Sequence, residues 1–193
     1  DSVRFEQLLG LGSIGTARQV PTVNAGATAL AFQNPVTIAT EQASTSGTSI
    51  DFTGIPAGVR RITVMFKGVS TNGTSQIIVQ IGISSGIETS SYLGAGADLP
   101  NAAAIVTTNY TAGFGVAGTT SATVVLHGAM TLTLENAAAF SWVATANVSN
   151  SAAAGMGVGS GSKSLAAVLD RVRITMVNGT DAFDAGAIAI SYE

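Results

Sequence analysis

Residues 60–82 read RRITVMFKGVSTNGTSQIIVQIG, and the periodicity of this stretch decides the fold class. Ile62, Val64 and Phe66 alternate with Arg61, Thr63, Met65 and Lys67; beyond Asn72-Gly73, Ile77, Val79 and Ile81 alternate with Gln76, Ile78 and Gln80. A period of two belongs to a strand with one face in a core. Asn-Gly between two such runs predicts a β-hairpin, because both central residues of a type I′ turn need positive φ. The residues left over between the runs leave room for a bulge or a longer loop.

The same alternation recurs along the chain. Ser49–Phe52, Ala103–Thr108, Thr123–Leu126 and Thr131–Leu134 read as strands. Phe140, Trp142 and Ala144 share one face of another, as do Val172, Ile174 and Met176, and then Ile188, Ile190 and Tyr192. Ser164–Asp170 (SLAAVLD), flanked by glycine-rich sequence, is also read as a strand. About nine or ten short strands spaced roughly 8–12 residues apart, with almost no helical periodicity, predict an all-β sandwich or barrel. Arg61-Ile62-Thr63-Val64 is echoed by Arg173-Ile174-Thr175-Met176, each followed by an Asn-Gly-Thr, at Asn72 and Asn178. The separation is too long for a solenoid and marks two similar sandwich strands.

The start of the chain differs. Ser2–Leu9 has room for a turn of helix, and GLGSIGTARQVPTVNAGATALAF (residues 10–32) is punctuated by Gly, Pro and Thr with scattered apolar residues. Such a segment cannot bury itself, so residues 1–35 read as a linker or as a neck packed against other chains. Residues 36–193 form the globular head. A chain opening at Asp1 rather than Met reads as a fragment or a processed product.

Composition removes several function classes. Apolar residues make up 46% of the 193, enough for a core, while charged residues are only 10%; about 25% is ordinary. Between Leu99 and Ser162 the only charged residue is Glu135. Asn, Thr, Ser and Gly interrupt this stretch too often for a membrane-spanning helix, so no membrane insertion is expected. Eight Lys+Arg in a chain of net charge −3 cannot supply the phosphate-neutralising stripe of a nucleic-acid binder. With no cysteine there is no disulfide, zinc cluster or thiol nucleophile. The surface that remains is polar but neutral, made of hydroxyls, amides and backbone.

Gly10-x-Gly12-x-x-Gly15 and Gly113-x-Gly115-x-x-Gly118 match a dinucleotide fingerprint in spelling only, since neither opens a helix in a βαβ unit. The single histidine, His127, lacks a nucleophile-elbow motif elsewhere in the chain and reads as a structural strand-end residue. Asp181 and Asp184, in NGTDAFDAG, lack the spacing of a calcium loop and read as part of a polar turn. Glycosidase carboxylate pairs meet only in space, and acids such as Asp51, Glu88 and Asp98 carry no sequence context for a raised pKa. The expectation is a protein without catalytic residues, cofactor or metal. Trp142 and Phe140 read as core. Tyr92 and Tyr110, in Gly/Ser/Asn-rich surroundings, read as the exposed aromatics.

Three segments carry a resemblance. Residues 48–82 (TSIDFTGIPAGVRRITVMFKGVSTNGTSQIIVQIG) and 161–193 (GSKSLAAVLDRVRITMVNGTDAFDAGAIAISYE) resemble the C-terminal part of bacteriophage and prophage tail-fibre proteins. Residues 8–32 are similar to the Leu-Leu-Gly-x-Gly linker upstream of such tips, with Leu11 where related linkers often carry Arg. Most of residues 86–159 carries no resemblance. The family implies a homotrimer wound together at the neck, a jelly-roll-like antiparallel β-sandwich head, and a place at the distal end of the virion's tail fibre after synthesis in the bacterial cytoplasm. It also implies a partner, either a bacterial surface glycan or an outer-membrane protein, bound during adsorption. A polysaccharide depolymerase of the tail, or a structural capsid or decoration jelly roll, are the alternatives. Sandwich loops carry function, which makes residues 86–118 the expected receptor contact. There Tyr92, Asp98, Asn101, Asn109 and Tyr110 combine stacking rings with hydrogen-bonding groups.

Overall fold

A computed structural model of the chain describes residues 19–23, 30–100, 103–118 and 121–193. It divides into two compact units, one reaching to Thr37 with Glu193 and the other spanning Ile38–Tyr192. In the first, β1 (Val20–Val23) and β2 (Leu30–Gln33) form an antiparallel pair with Val20 opposite Gln33. Part of the expected neck is therefore a hairpin. The helical turn expected at Ser2–Leu9 lies outside the described residues.

Past the hairpin come β3 (Thr37–Ile38), β4 (Gln42–Ala43), β5 (Ser49–Thr53), β6 (Arg61–Thr71), β7 (Ile77–Ile83) and β8 (Gly86–Ile87). They are followed by β9 (Leu93–Pro100), β10 (Val106–Tyr110), β11 (Phe114–Gly115), β12 (Leu126–Asn136), β13 (Ser141–Asn150), β14 (Gly155–Ser164), β15 (Arg171–Met176) and β16 (Phe183–Tyr192). Among the described residues there is no helix. A nine-stranded sheet runs β10-β9-β14-β13-β12-β6-β16-β3, with β4 also on β16. A five-stranded sheet runs β11-β7-β15-β5, with β8 also on β7. At its centre the order β4-β16-β6-β12 in one sheet faces β5-β15-β7-β8 in the other, and the chain changes sheet at most connections. That is a jelly roll, widened in the larger sheet by β9, β10, β13 and β14.

The period-two residues build the core as the sequence predicts. Ile62, Val64 and Phe66 of β6, Ile188 and Ile190 of β16, and Met130 and Leu132 of β12 face Ile50, Phe52, Val79, Ile81, Val172 and Ile174 of the smaller sheet. On β13, Trp142, Ala144, Ala146 and Val148 alternate inward without a break.

The hairpin at Asn72-Gly73 does not form. β6 and β7 belong to different sheets, and residues 72–76 are an arch between them. A second arch, at 177–182, carries the chain back from β15 to β16, and the two lie against each other. Asn72 N–H donates to Ala182 O (2.9 Å), and Ala182 N–H to Asn72 Oδ1 (2.9 Å). Ser75 N–H donates to Asp181 Oδ2 (2.9 Å) and Asn178 N–H to Ser75 Oγ (2.9 Å). A Cβ on Gly73 would lie 2.0 Å from the Asp181 carboxylate, so a side chain there would have to displace that carboxylate from Ser75 and Asn178. Alternation reveals that a run buries one face; it does not say whether the next run lies beside it or opposite it. The Arg-Ile-Thr echo marks these two strands, each leading through an arch into the other sheet.

Ser164–Asp170 is not a strand either. Ser164 ends β14, and residues 165–170 cross between sheets as irregular chain, pinned by Leu165 N–H on Phe140 O (3.1 Å) and Asp170 N–H on Gly82 O (3.0 Å). Conversely, β9 and β14 are strands that their glycines conceal. The inner face of these strands is paved with glycine because residues 113–118 pack directly on it. A Cβ on Gly159 would lie 2.0 Å from Gly115 O, and one on Gly157 would lie 2.5 Å from the Ala117 Cβ.

Candidate functional site

The structure moves the expected tyrosines from the surface into the protein. Tyr92 is 1% exposed and Tyr110 3%. The Tyr92 hydroxyl accepts from Ile81 N–H (2.8 Å) and donates to Glu88 O (2.9 Å). Its ring meets Phe114 edge-on at 4.9 Å between centroids. Tyr110 donates to Ala117 O, and its ring fills the slot left by Gly115. Burial pushes both phenols well above their ordinary pKa. Gly96 and Gly115, part of the glycine-rich sequence that looks like loop, are what allow the Tyr110 ring to sink in.

The other expected contacts do not form one site with them. Asp98 is half-buried, with Oδ1 accepting from Gly118 N–H (3.3 Å), and Asn109 is exposed on β10. Asn101 lies outside the described residues. A cavity of about 140 Å³ reaches Asp98, between Leu99, Val124, Asn150 and Met156.

A roomier space is a polar groove of about 320 Å³ on the outer face of the smaller sheet. The register builds its floor. Arg173 of β15 stands opposite Asp51 of β5 on one side and Gln80 of β7 on the other. Two residues along, on the same face, Thr175 stands between Ser49 and Ile78. Strands about 4.8 Å apart thus present rows of polar side chains at that spacing. Thr48, Thr89, Ala112 and Asn178 also line the groove.

Its polar groups are held in place. Arg173 Nε and Nη2 donate to the two Asp51 oxygens, both at 2.7 Å, a bidentate pair. Asp51's hydrogen bond, countered by burial and reinforced by its charge, raises the guanidinium pKa. Gln80, buried, donates Nε2–H to Ala112 O (2.8 Å), and Thr175 Oγ1 donates to Thr48 O (2.7 Å). At one end Asn178 Nδ2 donates to Asp181 Oδ1 (2.7 Å). That bond and the Ser75 N–H hold the Asp181 carboxyl below the usual carboxylate range. Ser49 and Thr89 are exposed. The arrangement offers hydroxyls, an amide and the remaining guanidinium N–H groups for hydrogen bonding.

Groups suited to acid–base chemistry have other duties. His127 Nδ1 accepts from Gly68 N–H (3.2 Å), which leaves its proton on Nε2, 3.1 Å from Ser151 Oγ. Lys163 and Glu88 form a 2.6 Å ion pair, and Lys163 Nζ lies 5.5 Å from the Tyr92 ring centroid. Burial works to raise the Glu88 carboxyl; the hydrogen bonds from Lys163 and Ala166 N–H and the Lys163 charge outweigh it and hold it below its ordinary value. Asp170 pairs with Arg171 at 2.7 Å, and Ser70 donates to Asp184. Among the described residues no three His, Asp or Glu side chains gather as a metal site.

Compared with protein-family models, with curated proteins and with solved structures, the chain matches none of them. The groove residues were visible in the sequence only as the polar phase of separate strands. Their meeting depends on which strands pair and in what register.

Proposed function

We propose that this chain is the receptor-binding tip of a bacteriophage tail fibre, attaching the virion to its host by binding a surface glycan and catalysing no reaction. The observation that carries the reading is the groove over β5, β15 and β7. It is open and polar, and Gln80, Arg173, Thr175 and Asn178 are held in it by their own hydrogen bonds. Preorganised groups lose little entropy on binding, and hydroxyls, amides and guanidinium N–H groups suit a polyhydroxylated ligand. Further support comes from the low charge of the chain and from the tail-fibre resemblance of residues 48–82 and 161–193. In this reading the protein is a homotrimer held by its N-terminal segment, placed at the distal end of the fibre.

The test uses labelled protein on bacterial strains with and without their surface polysaccharide. Thr89→Trp, at an exposed position on the groove, fills it without removing an internal hydrogen bond. The expected result is at least about tenfold weaker cell binding at unchanged Tm, the scale of a contact near 1.4 kcal/mol. Binding that survives loss of polysaccharide but not protease treatment of the cells overturns the glycan in favour of a protein receptor. Release of new reducing ends from the polysaccharide makes the protein a depolymerase.

A further inference from the structure

The charges around the groove are arranged in a way that goes beyond glycan binding as such. Among the described residues, Arg173 is the only charged one lining it. That charge is cancelled in place by the bidentate Asp51 pair, both bonds at 2.7 Å. Asp181 stands at the end of the groove, bonded to Asn178. A carboxylate brought into the groove would find no unpaired cation. It would instead meet the Asp51 carboxylate, already bonded to that arginine, and the Asp181 carboxylate held by Asn178, which lines the groove. A hydroxyl meets no such penalty, because the guanidinium N–H groups not used by Asp51 still donate. The next arginine along β15, Arg171, is likewise committed, to Asp170 Oδ1 (2.9 Å from Nε) and to Ser84 O (2.8 Å).

We infer that the groove selects neutral saccharides and rejects acidic ones, with the Asp51–Arg173 pair as the selectivity device. This rests on the glycan-binding reading. The pair orders a hydrogen-bonding guanidinium while removing the long-range attraction that an unpaired arginine would exert on uronic or sialic acids.

The experiment is calorimetric titration of the full chain with neutral glucan, galactan and mannan oligosaccharides, and with the same chains oxidised at C6 to uronic acids. The expected result is that oxidation weakens binding about threefold or more, as one unfavourable surface charge contact predicts. Asp51→Asn keeps the side-chain shape and frees the Arg173 charge. It should reverse the preference, with oxidised chains binding more tightly and losing that advantage at 0.5 M salt. Thr89→Lys adds a cation without breaking any Asp51 bond and should shift selectivity the same way, which keeps the test valid if Asp51→Asn does not fold. Oxidised chains binding the unaltered protein as well as the neutral ones, or better, overturn the selectivity while leaving glycan binding intact. Failure of every chain, neutral and oxidised, overturns the glycan-binding reading and the inference with it.

Discussion

Tyr92→Phe removes one oxygen atom, and the cost follows from what that atom holds. Along the edge of β7, β11 pairs with Ile78 and Val79, and β8 pairs with Gly82 and Ile83. Ile81 falls in the gap between them, fully buried, and its N–H is met by the Tyr92 hydroxyl at 2.8 Å. Without that oxygen a buried donor has no partner, a penalty of about 1–3 kcal/mol. The lost bond to Glu88 O adds less, because Glu88 is only half-buried and water reaches it. A total near 2 kcal/mol lowers the Tm by about 4–8 °C in a domain of this size. Tyr92→Ala also forfeits the packing against Phe114 and should cost about 3–5 kcal/mol. Urea titration followed by Trp142 fluorescence reads both, since Trp142 is the only tryptophan and is 2% exposed. If Tyr92→Phe unfolds within about 0.5 kcal/mol of the unaltered protein, ordinary surface-substitution noise, the hydroxyl is not plugging the sheet edge and the reasoning fails.

Two further outcomes are expected. Glu88 has a folded pKa below its ordinary 4.5; its ion pair therefore adds stability above that pH and loses it as pH falls through the lower folded value. Urea midpoints measured from pH 7 to pH 2.5 should decline less steeply in Glu88→Gln at the acid end, and parallel curves would remove Glu88 from the pH response. Gly159→Ala places a methyl 2.0 Å from Gly115 O, against backbone rather than a movable side chain, and should cost about 3 kcal/mol. Ser160→Ala, exposed on the next position of the same strand, should be within about 0.5 kcal/mol of neutral; equal effects in the two would contradict close backbone packing on β14.

Which residues face the core was legible locally, because side chains of a strand alternate whatever the strand pairs with. Ile62, Val64 and Phe66, or Trp142 and Ala144, needed no tertiary information to be placed inside, and the all-β class followed from their recurrence. Partnership was not legible. Asn72-Gly73 joins two sheets instead of two neighbouring strands, because its hydrogen bonds go to residues 177–182, over a hundred positions away. β9 and β14 were hidden for a related reason: a glycine there substitutes for a side chain by admitting another backbone, and only the structure brings Gly115 to Gly159. Such slots, at Gly96 and Gly115, also buried Tyr110, whose sequence surroundings resemble a loop. Composition set the chemistry available to a binding surface, neutral and rich in hydroxyls. Where that surface lies was decided by register, which sets Asp51, Arg173 and Gln80 side by side on three strands drawn from distant parts of the chain.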